Sequence, residues 1–295
     1  MSSTHTPLDA RLEDVIVRLG RTTALDAAMC GFREGRITGL LGRNGSGKTT
    51  ALSALAGFRR PTRGSVRVGG RDPFDDAQLA PAICLVRESG DVVPDQPVED
   101  TFQIAAMLRP TWDQAWAEQL LDHFGIDPKQ HPVKMSRGRR AVVGAILGLA
   151  SRAPLTMFDE VHLGMDAPTR VEFYDLLVAD YARNPRTIVL SSHLISEIEN
   201  VLEDVVLLDD GRVVHDGGAE DLRSRGATLT GRTDDVRAAA ADLTVLAERS
   251  LGPTSELTVL ADIDAATRAD LARRGIGVGH LGLQDVVIHL TGSSS

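Results

Sequence analysis

One stretch, Ile37-Thr-Gly-Leu-Leu-Gly-Arg-Asn-Gly-Ser-Gly-Lys-Thr-Thr50, constrains this chain more than any other. A short apolar run reads as a strand, a glycine-rich turn follows, and a helical pattern begins at its end. Gly42 to Thr49 fit the pattern G-x-x-x-x-G-K-[ST] in the strand-loop-helix setting it requires. Gly45 and Gly47 let the backbone bend until consecutive N–H groups point inward, which builds an anion nest at the positive end of a helix dipole. The loop Gly42, Arg43, Asn44, Gly45, Ser46, Gly47 with Thr50 behind it is therefore a phosphate cradle. Lys48 would reach the β- and γ-phosphates of a nucleotide, and the Thr49 hydroxyl would ligate Mg2+. Arginine greatly outnumbers lysine, which occurs only as Lys48, Lys129 and Lys134, so a lysine at this position carries extra weight.

The rest of the composition bounds the answer. A chain of 295 residues with 42% hydrophobic and 25% charged residues is of ordinary globular type and long enough for two domains. Its net charge of −9 argues against a broad basic face for nucleic acid, so no direct nucleic-acid partner is expected. Cys30 and Cys84 lie in apolar runs and read as buried thiols of a reducing compartment. No metal-ligand spacing, signal pattern or bilayer-length apolar run is seen, which places the chain in the cytoplasm unless a partner tethers it.

Along the chain, residues 1 to 10 read as a loose tail. Val15 to Leu19 and Ala24 to Cys30 read as strands ahead of Ile37 to Leu41, and a helix should run from Lys48 to about Ala56. Ser65 to Val68 and Ala82 to Val86 are further strands. From Val98 to Ala150 the pattern is helical, which suggests a helical subdomain inserted into an α/β core. Thr111 and Gln114 make a capping-box pair there, and Trp112, Trp116, Leu120 and Phe124 form a stripe read as core packing. Leu155 to Phe158 is a strand ending in Asp159-Glu160. A helix (Pro168 to Tyr181), a strand (Thr187 to Leu190) and a second helix (Leu194 to Leu202) follow. Asp209-Asp210-Gly211 then joins two strands as a hairpin. Alternating strands and helices imply a mostly parallel sheet. After Leu222 the order strand, helix, strand, strand, helix, strand, helix is that of a split βαβ unit, which resembles a ferredoxin-like fold.

Four stretches in a fixed order carry a resemblance to the ATP-binding subunit of an ABC transporter, most like the separately encoded ATPases of ABC-2-type exporters. It covers about Leu12 to Leu222. Leu155-Thr-Met-Phe-Asp-Glu160 resembles the Walker B strand, which implies that Asp159 holds Mg2+ and Glu160 polarises the attacking water. Gly164-Met165-Asp166 resembles the loop that crosses to the partner subunit. His193, after Ser191-Ser192, matches the switch histidine of the γ-phosphate. Met135-Ser136-Arg137-Gly138-Arg139-Arg140 sits where the family carries L-S-G-G-Q. Ser136 and Gly138 would there face the ATP of the other subunit, with Ser136 capping the helix behind. The arginines oppose the helix dipole. They read equally as an anion contact or as a solvated basic turn.

Other positions depart from the family pattern. Val161-His162 replaces the usual proline and its neighbour. Arg87 stands where a glutamine touches the metal, leaving Glu88 as the available substitute, and Leu19 replaces the aromatic residue that stacks on adenine. His162 and His215 read as structural or exposed.

The resemblance thus implies an α/β fold: a P-loop NTPase (RecA-like) parallel core with an N-terminal antiparallel β subdomain, an inserted helical subdomain at about 95–150, and a small C-terminal α/β domain. The expected boundaries are a tail at 1–10, an ATP-binding domain at 11–223 and an accessory domain at 224–295. The implied function is a Mg2+-dependent ATPase that dimerises on ATP, with itself or a similar chain. It would power a transmembrane permease, as an exporter, from the inner face of the cell membrane. Two alternatives stay open: a non-transport ATPase acting on a ribosome or nucleoprotein, and a regulatory nucleotide-binding module with weak hydrolysis.

Overall fold

In the computed structural model, residues 6–89 and 91–292 are described. The elements in chain order are β1 (Ala10–Leu19), β2 (Thr22–Phe32), β3 (Ile37–Leu41), α1 (Lys48–Leu55), β4 (Arg63–Val68), β5 (Ile83–Arg87), α2 (Val98–Leu108), α3 (Gln114–His123) and α4 (Arg137–Ser151). They continue with β6 (Leu155–Asp159), α5 (Ala167–Arg183), β7 (Thr187–Ser192), α6 (Ile195–Ile198), β8 (Asp204–Asp209), β9 (Arg212–Gly218) and α7 (Ala219–Arg223). The last are β10 (Gly226–Arg232), α8 (Thr233–Ala239), β11 (Thr244–Leu251), β12 (Thr254–Leu260), α9 (Ala265–Arg273), β13 (Gly277–His280) and α10 (Leu283–Gly292). Two compact units result. One runs to His193 and includes Asn200–Asp216; the other holds Leu194–Glu199 and the described chain from Gly217 onward.

Three layers make the first unit. An antiparallel sheet of order β2-β1-β4 buries Ala10, Leu12, Val15 and Val17 on one face of β1. The strict two-residue alternation slips once, between Leu12 and Val15, where Asp14 adopts φ 52° and a bulge adds a residue. A six-stranded sheet of order β5-β6-β7-β3-β8-β9 forms the core, with β5, β6, β7, β3 and β8 parallel. Those strands are apolar almost throughout because both faces are covered. The expected hairpin is present: Asp210 and Gly211 both take positive φ, 43° and 80°, as a two-residue turn requires. Leu8 packs against the core just ahead of β1; residues 1–5 of the expected tail lie outside the described residues.

Two local expectations need correction. The Thr111–Gln114 capping box does not form. Asp113 is the N-cap of α3 and accepts from Trp116 N–H at 2.9 Å, while the Thr111 hydroxyl donates to Ser151 O at 2.6 Å. A carboxylate two residues closer to the helix wins the free N–H, and the threonine is left to bond α4. The helix expected over Leu194 to Leu202 shortens to Ile195–Ile198, since by Glu203 the backbone N–H already bonds Ile37 O at 3.0 Å on the way into β8. Of the stripe on α3, Leu120 is buried and the Trp112 ring packs on Phe102 at 5.3 Å.

The second unit is a four-stranded antiparallel sheet of order β11-β12-β10-β13 with α8 and α9 between its strands in sequence. That order and connectivity are those of a split βαβ fold. Leu229, Leu257, Val259, Val236, Leu271 and Ile276 make its core.

Candidate nucleotide-binding site

The site forms at the carboxyl ends of three adjacent parallel strands, β3, β7 and β6, where an open α/β sheet leaves a crevice. Each strand delivers one piece. β3 runs into the phosphate loop, β6 ends in Asp159 and Glu160, and β7 ends just before His193.

Steric constraints shape the loop. Gly42, Gly45 and Gly47 take φ 149°, 84° and 106°. A Cβ on Gly47 would stand 2.5 Å from Ala24 O, so only glycine fits. Helix α1 begins at Lys48, and its first N–H groups face the loop. Arg43, Asn44 and Thr49 are exposed, Thr50 is half-buried, and the Ser46 hydroxyl is buried without a hydrogen-bond partner among the described residues. Lys48 is 5% exposed and its Nζ donates to Gly42 O at 2.8 Å and Arg43 O at 3.1 Å, which folds the ammonium into the mouth of the loop.

A single carboxylate joins the other pieces. Glu160 Oε1 lies 3.2 Å from Lys48 Nζ and 3.2 Å from His193 Nδ1. An ionised carboxylate only accepts hydrogen bonds, so a proton on Nδ1 is what makes this contact favourable. Glu160 takes φ 53°, an unfavourable region for a residue with a side chain, and its N–H bonds Ser191 O at 3.2 Å. Such strain concentrates where a side chain must be aimed rather than packed.

Asp159 fits a divalent cation. It is 4% exposed, and its Oδ1 is buried with no hydrogen-bond partner among the described residues, a costly arrangement for a charged oxygen unless a cation completes it. Burial pushes its carboxyl up from the ordinary value, and the hydroxyls of Thr49 and Ser191, with the Lys48 charge, act against that rise. A carboxylate and a hydroxyl are hard oxygen donors of the kind Mg2+ prefers.

The remaining predicted residues have clear local roles. Ser136 caps α4, its hydroxyl accepting from Arg139 N–H at 3.3 Å. Gly138 lets α4 approach the turn after Glu160, because a Cβ there would stand 2.8 Å from Gly164 O. Asp166 caps α5 by accepting from Thr169 N–H at 3.0 Å, and the Thr169 hydroxyl together with this N–H holds its carboxyl below the ordinary range. Leu19 closes β1 opposite Thr22 and is 41% exposed.

Several partners were not legible beforehand. Glu88, considered as a metal ligand, pairs instead with Arg137, while Arg139 donates to Gly125 O at 2.6 Å and Arg140 to Met135 O at 2.8 Å. Arg87 bonds Asp91 and lies in register with Asp159. His162 is buried, 3.2 Å from the Ser192 hydroxyl through Nε2, so it braces the turn after Glu160 against the strand end that carries His193. His215 is buried as well. No single-residue signal distinguishes such histidines, since burial is decided by neighbours distant in sequence.

Fold and site together define a domain of the P-loop NTPase fold with an antiparallel β subdomain. Residues 25–162 match the family described as "ABC transporter", and the chain carries an ABC transporter ATP-binding domain. It is 31% identical over 229 residues to the methionine import ATP-binding protein MetN of Mesorhizobium japonicum, covering 72% of this chain and 63% of that one. It is 29% identical to the glycine betaine/proline betaine transport system ATP-binding protein ProV of Salmonella typhimurium, covering 75% of this chain and 58% of that one. The chain thus spans less than two thirds of the length of these relatives. A dimeric ATP-binding cassette in a post-hydrolysis state, bound to ADP and phosphate, superimposes with a TM-score of 0.63 at 20% identity, over 71% of this chain and 98% of that one.

Proposed function

We propose that the chain binds ATP in the crevice above β3, β6 and β7, hydrolyses it, and uses the cycle to drive a separate membrane permease. The observation that carries this reading is the convergence of Lys48 and His193 on one Glu160 oxygen beside the phosphate loop. The N–H groups of the loop and the Lys48 ammonium hold the β- and γ-phosphates. Glu160 orients a water molecule against the γ-phosphorus. The water oxygen bonds to phosphorus as the bond to the bridging oxygen of ADP breaks, and His193 steadies Glu160 while facing the departing phosphate. Thr49 and Asp159 would hold Mg2+, which when bound spreads the charge of the phosphoryl oxygens.

Among the described residues no helix is long and apolar enough to cross a membrane, so coupling to transport requires a partner. We place the chain in the cytoplasm, at the inner membrane face, as a dimer with itself or a similar ATPase. Each phosphate loop then faces Ser136, Gly138 and the Asp166 turn of the other copy. Export through separately encoded membrane subunits is the direction the sequence resemblance implies. A second reading, import, is favoured by the relative named as a methionine importer. The test is phosphate release from purified chain with ATP and Mg2+. Turnover should stop with a chelator and fall at least about 100-fold in Glu160→Gln; turnover unchanged in that variant rejects the mechanism. Flux in sealed vesicles reconstituted with a membrane permease that co-purifies with this chain separates export from import.

A further inference from the structure

The strand end beside Asp159 is joined by charge to the first turn of α4. Arg87 ends β5 directly opposite Asp159 in the parallel register. Its N–H donates to Asp91 Oδ2 at 2.6 Å and its Nε to Asp91 Oδ1 at 2.8 Å. This side-chain bond and charge raise the Arg87 guanidinium above its ordinary value, so it stays a fixed cation. The next residue, Glu88, pairs with the guanidinium of Arg137, the first residue of α4, immediately after the Ser136 cap.

Arg137 stands at a helix N-terminus, where the partial positive charge of the free N–H groups opposes a cation. Arg139 and Arg140 share that turn, and the helix has no acidic residue in it. Arg139 and Arg140 are each tied to a carbonyl within the subdomain, whereas Arg137 is tied to Glu88, outside it. Glu88 thus supplies from the loop after β5 the negative charge that the helix itself lacks. The path from Asp159 to Ser136 consists of one strand register, one ion pair and two peptide steps, Arg87 to Glu88 and Arg137 to Ser136.

We propose that Glu88 and Arg137 form an electrostatic clamp that fixes the first turn of α4, and with it Ser136, to the β5 end of the nucleotide site. Both act as positioning residues for ATP-driven association, a part of the inference that rests on the proposed function. Because the side chains are 63% and 41% exposed, the coupling is small and salt-sensitive.

The experiment is a double-mutant cycle in the full chain, read first without nucleotide as hydrogen exchange at the Arg139 amide, the donor to Ser136. Glu88→Gln should speed exchange about three- to fivefold, leave it unchanged in an Arg137→Gln background, and lose its effect at 1 M salt. No acceleration, or equal acceleration in both backgrounds, overturns the clamp. The second readout is the dissociation constant of the ATP-bound dimer in a Glu160→Gln background, which Glu88→Gln should raise by a similar factor only when Arg137 is present. If exchange follows the cycle and the Glu160→Gln chain never associates on ATP, the dimer reading fails and the clamp stands.

Discussion

Glu160 Oε1 stands 3.2 Å from His193 Nδ1, so a carboxylate at the end of one strand is aimed by an imidazole at the end of its neighbour. Lys48 Nζ touches the same oxygen from the phosphate loop. His193→Ala should therefore lower turnover by about 10- to 100-fold with little change in ATP affinity, because it loosens Glu160 without removing a phosphate ligand. Steady-state turnover beside equilibrium nucleotide binding checks the split. A loss of affinity matching the loss of rate would mean that His193 holds the nucleotide rather than the carboxylate.

His162 gives the protein an acid-sensitive element. Burial pushes its imidazole down to about 4, against an ordinary value near 6.5, so the folded chain holds it neutral. The unfolded chain takes up the proton first as pH falls. Stability is therefore full above about 6.5 and is lost as pH falls to about 4, by at most about 3 kcal/mol. Denaturant unfolding across that range should show a shallower acid limb in His162→Asn than in the parent chain.

Gly138→Ala tests the approach of α4 to the turn after Glu160. The new Cβ would meet the backbone oxygen of Gly164 at 2.8 Å, which cannot swing aside as a side chain would. Overpacking of this kind costs about 1 to 3 kcal/mol. The unfolding midpoint should fall accordingly, whether or not nucleotide is present.

Asp180 anchors a buried charge cluster. It is 3% exposed and its carboxylate lies 2.8 Å from Arg186, itself 2% exposed, and 3.4 Å from Arg152. Asp180→Ala leaves the Arg186 guanidinium buried and uncompensated, which costs about 3 to 5 kcal/mol. Calorimetry or denaturant unfolding should register a loss of that size; a loss below about 1 kcal/mol would mean that water reaches the guanidinium.

The sequence by itself determined the phosphate loop, because its glycines, Lys48 and Thr49 are contiguous and their chemistry is local. It also determined the Asp210-Gly211 hairpin and the order of elements in the C-terminal unit, for which dipeptide turns and short-range periodicity suffice. The Ser136 cap follows from spacing alone, the cap of α3 less so, since Thr111 and Asp113 compete for one helix end, and the Asp166 cap of α5 emerges only in the structure. Tertiary structure alone decided that Glu160, Lys48 and His193 share one oxygen, that His162 is buried, and that Glu88 meets Arg137. These contacts join strands and loops that lie far apart in sequence, and which parallel strands become neighbours is set by the packing of both sheet faces rather than by any local preference.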